Sequence, residues 1–216
     1  NGIILIIQII GGYMFTRREN LKQYMQFYPV VSTLIALNIM IYVLTILPII
    51  GDFVFYFGLG SNALISEGEW WRFVTPMFLH GGLLHLLFNM FSLYLFGPEL
   101  EKLAGKVRFL TIYFMAGLFG TMVTFLLQDL AYNHVGASGA IYGIFGAFAA
   151  LVYYARNTMP QLKGIIVPII VISVIMTFLQ PNINITAHLT GLVVGFLIGL
   201  SYFHPKRIIS WKMRKK

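Results

Sequence analysis

The sequence predicts an all-α membrane protein: a six-transmembrane-helix bundle with a long interfacial first loop. Three observations predict it. The 216-residue chain is 58% hydrophobic and only 10% charged, whereas soluble domains carry about 25% charged residues. Six apolar segments fall at about 31–50, 82–98, 107–127, 138–155, 164–180 and 185–203. The fifteen Lys and Arg residues sort almost entirely to one side when the intervening loops are assigned alternately to the two faces of a bilayer.

Residues 3–10, IILIIQII, are too few to cross a bilayer, which takes roughly 20 residues. Met14 then precedes Arg17, Arg18 and Lys22. Residues 1–30 therefore read as an N-terminal cytoplasmic segment, and 1–13 as either upstream of a start at Met14 or a truncated or foreign piece. No A-x-A-like site suggests a cleaved signal peptide. Residues 31–203 form the membrane domain. Its six segments are helices rather than strands, because backbone groups in lipid must pair within the segment. The 51–80 stretch mixes FVFYFGLG and FVTPMF with Asp52, Glu67, Glu69, Trp70, Trp71 and Arg72, as an interfacial loop would. Residues 204–216 form a basic cytoplasmic tail.

Fourteen cations fall on one side and only Arg72 on the other. Positive-inside bias then places both termini in the cytoplasm of a multi-pass cell (plasma) membrane protein. Topology accounts for the +8 formal charge without nucleic acid, and the tail suits contact with anionic membrane lipid. There are no cysteines, hence no disulfides or thiol chemistry. No cofactor or metal is expected: His80 and His85 are five apart, H-E-x-x-H is absent, and no carboxylate lies in the interior. Short loops, no cysteine and many Ile and Lys suggest a bacterial source.

This orientation puts Ser138 at the outer end of the fourth helix and His188 near the outer end of the sixth. Ser138 alone is weak evidence. Serine is common in membrane helices, and GASGA departs from the G-x-S-x-G nucleophile elbow at Ala140. His188 carries more weight, because an ionisable group inside a membrane segment points to function. Ala187, Gly191, Gly195 and Gly199 make a smooth face on the sixth helix. Gly139, Gly143, Gly146, Ala147 and Ala150 do the same on the fourth. Small faces let backbones approach closely, which would carry His188 to Ser138 as its general base. Tyr142, one turn below Ser138, is placed to pack under the imidazole. His85 and Asn89 share a face of the second helix. With the free Ser138 N–H at a helix start, they are candidate oxyanion donors; simple interhelical bonding is the bland alternative for both. His80 reads as a loop histidine supporting the site. Asp129 is the only acid near, so a dyad without a third carboxylate is expected.

In this ordered set the chain resembles the rhomboid intramembrane serine proteases, over about Val31 to Phe203. Trp71-Arg72 resembles their W-R motif. His80, His85 and Asn89 match H-x4-H-x3-N, and Glu101 with Gly105 resembles E-x-x-x-G. Gly136-Ala137-Ser138-Gly139 matches G-x-S-G, and Ala187-His188 with Gly191 and Gly195 matches A-H-x-x-G-x-x-x-G. The resemblance implies a minimal six-helix bacterial form that cleaves transmembrane protein substrates near their outer boundary. Ser138 would be nucleophile and His188 base. His85, Asn89 and the Ser138 N–H would form the oxyanion hole, with Gly136 keeping the approach open and Tyr142 stacking on His188. It also implies that a short, mobile fifth helix and the loop before the sixth gate access, which Pro168, Pro181 and the QPNIN stretch would suit as well as they would a simple kink and a tight turn. Arg72 is expected to tie down the first loop, and Glu101 the inner loop with a nearby lysine.

Two rival readings remain. An inactive rhomboid-like client-binding protein would share the fold, but such relatives usually lack the serine or the histidine. A small transporter would show an inverted repeat or paired broken helices, and no clear repeat is present. The sequence names no substrate, regulator or oligomeric state.

Overall fold

A computed structural model describes residues 15–157 and 160–205. The expectations for residues 1–13 and for most of the basic tail, 206–216, lie outside them. The chain forms α1 (Leu21–Phe27), α2 (Pro29–Thr45), α3 (Gly51–Gly58), α4 (Asn62–Ser66), α5 (Leu83–Ala104), α6 (Lys106–Leu127), α7 (Ser138–Ala155), α8 (Pro160–Leu179) and α9 (Ile185–Tyr202). Helices α5 to α9 are each long and apolar enough to cross a membrane, and α2 with α1 makes a sixth span if the bent pair is taken together. The structure is thus the expected all-α membrane bundle.

The bend between α1 and α2 is 114°, and Pro29 explains it. The residue before a proline is driven out of helical geometry, and Tyr28 sits at φ −128°. Tyr28 supplies no side-chain cap to α2. Glu101 does so from α5: the Val30 N–H donates to its Oε1 at 3.2 Å and the Val31 N–H to Oε2 at 2.9 Å. This corrects the expected pairing of Glu101 with a lysine. A carboxylate at a helix start satisfies orphan amides and complements the helix dipole, so Glu101 clamps the first span to the second.

The first loop also holds more structure than expected, in α3, α4 and two 3-10 turns. Arg72, 1% exposed, organises it. Its Nη1 donates to the carbonyls of Tyr56 and Leu59 at 2.6 and 2.7 Å, and its Nε to Glu69 Oε2 at 2.7 Å. Arg72→Ala is therefore expected to cost about 2–3 kcal/mol, the scale of hydrogen bonds to a charged group. Thermal unfolding in detergent would check it; an unchanged midpoint would show that the loop is held by its aromatic packing.

Short β-strands join this loop to the segment before α7: Gly60–Ser61 (β1) pairs antiparallel with Asn133–His134 (β2). The Asn62 side chain adds bonds to the carbonyls of Gln128 and Asp129. At the centre stands α7, with twelve of its eighteen residues buried. It packs on α6 and α9, with α5 and α8 completing its surround. Helix α8 is the contrast: its buried residues are Leu162, Ile166 and Thr177 alone.

Candidate active site

Two small faces make the site. Gly139 and Gly143 of α7 meet Ala187, Gly191 and Gly195 of α9 so closely that a methyl group on Gly191 or Gly195 would overlap the α7 backbone. Close approach of this kind is what small-residue stripes permit. Ser138 is the first residue of α7 and lies beside Gly139, which faces Ala187. His188 follows Ala187 in the first turn of α9. The packing register thus brings both residues to the same end of the α7–α9 interface. Ser138 is half-buried and His188 is 6% exposed. No hydrogen bond joins the two side chains among the described residues.

The N-terminus of α9 is fixed by Asn184, whose Oδ1 accepts from the Ala187 N–H at 2.9 Å. The same residue bonds Thr124 of α6. The imidazole is sandwiched in turn. The Tyr142 ring stacks on it at 4.1 Å and 19°, and Thr177 Oγ1 lies 3.0 Å from Nδ1. Thr177 was missed in the sequence. It sits in an apolar helix with no motif around it, and only the packing of α8 reveals its partner.

On the other flank, Gly136 holds φ +132°, a conformation that side chains rarely adopt. An added Cβ there would lie 2.8 Å from the His85 ring and 3.5 Å from Ser138 Oγ. The missing side chain is what lets His85 approach the serine. The Gly136 N–H donates to the Pro76 carbonyl at 2.8 Å, anchoring this turn to the first loop. Asn89 Nδ2 donates to the His85 carbonyl at 2.9 Å, so one of its two protons is committed and the other is free to serve a ligand. His80 packs edge-on against His85, ring centroids 5.0 Å apart. Burial above all, with His85 adding to it, pushes His80 down to about 3, so it stands as a neutral neighbour. Asp129 accepts, through its backbone carbonyl, from Asn62. Among the described residues no three His, Asp or Glu side chains converge as a metal site would require.

A polytopic helical bundle with a glycine-lined crossing and a serine and histidine at one end of it defines a class of membrane-embedded proteins. Comparison with known proteins gives the family. A family profile described as "Rhomboid domain" matches residues 67–205. The chain is 40% identical over 187 residues to "Putative rhomboid protease YdcA" of Bacillus subtilis (strain 168), covering 86% of this chain and 94% of that protein. It is 38% identical over 151 residues to "Rhomboid protease GluP" of the same organism, covering 69% of this chain but 29% of that longer protein. It is 36% identical over 163 residues to "RHOMBOID-like protein 5" of Arabidopsis thaliana, covering 68% and 52% respectively. The chain belongs to the rhomboid family of intramembrane proteases.

Proposed function

We propose that this protein is an intramembrane serine endopeptidase in which Ser138 is the nucleophile and His188 the general base. One observation carries the assignment: the α7–α9 glycine crossing brings both residues to one end of that interface, with His85 beside the half-buried Ser138 at the start of α7. A transmembrane substrate enters this end of the bundle and presents a carbonyl to Ser138 Oγ. As Oγ attacks, Nε2 of His188 takes its proton. The tetrahedral oxyanion is met by the Ser138 N–H, which helix geometry leaves unpaired, and by His85 and Asn89. The imidazolium then returns its proton to the leaving amine, and water hydrolyses the acyl-enzyme by the same relay. Tyr142 and Gly136 hold the two sides of this arrangement, and His80 supports His85. The fourteen cations of the opposite side set the orientation. Both termini lie in the cytoplasm of a plasma membrane and the site opens outward.

A fluorophosphonate probe tests this directly on purified protein in detergent. Labelling of the parent and none of Ser138→Ala or His188→Ala is expected. A folded parent that takes no label would sink the proposal and favour client binding without cleavage. Asn89→Ala is expected to lose about 1–3 kcal/mol of transition-state stabilisation, the scale of one oxyanion donor in a shared set. It would show as a lower turnover on a transmembrane substrate, and an unchanged turnover would remove Asn89 from the site.

A further inference from the structure

The α8 hydroxyl beside His188 is not absorbed by this mechanism. Thr177 is 2% exposed on a helix whose other buried residues are Leu162 and Ile166, both apolar. Four polar contacts converge on it and its neighbours. Tyr142 Oη lies 2.6 Å from the Ser173 carbonyl oxygen and 2.6 Å from Thr177 Oγ1. Thr177 Oγ1 lies 3.0 Å from the same carbonyl and 3.0 Å from His188 Nδ1.

Counting protons decides what these contacts do. Each hydroxyl brings one proton, and the carbonyl brings none. If Nδ1 were bare, two protons would have to serve all four contacts, and at least two short contacts would press lone pairs together. If Nδ1 carries the ring proton, three protons are available and only one of the four contacts goes unserved. Nδ1–H donates to Thr177 Oγ1, and the two hydroxyls pass theirs along to each other or to Ser173. In a buried site, where an unmade hydrogen bond is costly, the second arrangement wins.

We infer that Thr177 is a positioning residue that fixes the Nδ1–H tautomer of His188, so that Nε2 is left bare as the base. This rests on the Ser138–His188 reading above. A hydroxyl on α8, anchored by Tyr142 and Ser173, does the orienting work that a carboxylate does in a three-residue relay. It also makes the base conditional on α8, since the proton is placed only while Thr177 faces the imidazole. A merely structural threonine, bonding back to the carbonyl four residues earlier as threonines in helices do, would keep the helix in place and leave the tautomer alone.

The test uses the full chain in detergent, labelled with 15N-histidine, at alkaline pH. The sequence has five histidines, and His188→Ala identifies the resonances of interest. The parent is expected to show His188 protonated on Nδ1. Thr177→Val, which keeps the shape and removes the hydroxyl, is expected to show mixed tautomers and to lose about 10- to 100-fold in the rate of fluorophosphonate labelling, by analogy with the loss of a hydrogen-bond partner from a metal-bound histidine. Thr177→Ser is expected to restore both. A parent His188 protonated on Nε2 would overturn the inference, as would a valine variant with the parent spectrum and rate. The parent spectrum decides the point even if the valine variant does not fold. It is also independent of labelling: a parent that shows Nδ1–H but takes no label counts against the protease reading and leaves the role of Thr177 standing.

Discussion

Replacing Ser138 with alanine is expected to abolish cleavage while leaving the bundle folded. The two halves of that result have separate physical origins. The hydroxyl makes no hydrogen bond among the described residues and is half-exposed, so its removal strands no partner. Alanine is also the better helix former, and Ser138 is already in helical position at the start of α7. The folded state should therefore change by less than about 1 kcal/mol. The chemistry has no such tolerance. In the proposed mechanism no acyl-enzyme forms without Oγ, and loss of the nucleophile in a serine relay costs at least about 10^4-fold in turnover. Cleavage of a transmembrane substrate, read beside a thermal melt of the same sample, separates the two. Parent-like cleavage by a folded Ser138→Ala would move the nucleophile elsewhere. Loss of the melt would mean the hydroxyl holds the fold.

The membrane segments were legible because lipid imposes a long apolar run on every span. Ser138–Ala155 begins and ends where the apolar pattern does, and Ile185–Tyr202 differs by one residue. The second span runs on to Ala104 rather than stopping near 98. Its last turns carry Glu99 and Glu101, and helical geometry is compatible with charge once the apolar stretch is over. The first loop was less legible. GDFVFYFG is too short to stand out as a span, and its helix, α3, is held by Arg72 reaching the carbonyls of Tyr56 and Leu59. Glu101 was misassigned for a related reason. Its partners are backbone amides, which leave no mark on the residues that own them, while a nearby lysine offered an obvious but wrong partner. The glycine stripes, by contrast, announced the α7–α9 crossing, because only a residue without a side chain permits it. Thr177 gave no signal, since two hydroxyls, Ser173 and Thr177, in PIIVISVIMTFL are ordinary in a membrane helix. Its meaning comes from which face of α8 turns inward.

The crossing itself yields the second large effect. Gly195→Val is expected to collapse the site and unfold a large share of the protein. A Cβ on Gly195 would lie 2.6 Å from both the Cα and the carbonyl carbon of Gly143, and would overlap the carbonyl oxygen. These are backbone atoms of the most buried helix, so no side chain can swing away to make room. The helices must part, and overpacking of this kind costs about 1–3 kcal/mol for one added methylene and more where backbone must move. Valine adds three carbons. Parting α7 from α9 also carries His188 away from Ser138, so activity should fall further than stability in whatever fraction stays folded. Gly164→Ala is the control. It lies in α8 with nothing within 4 Å of an added Cβ, and alanine in a helix gains roughly 0.5–1 kcal/mol over glycine. Thermal unfolding and probe labelling of both variants decide the matter. A Gly195→Val protein that melts and labels like the parent would mean the crossing is loose enough to yield. The glycine stripe would then be incidental to how the serine and histidine meet.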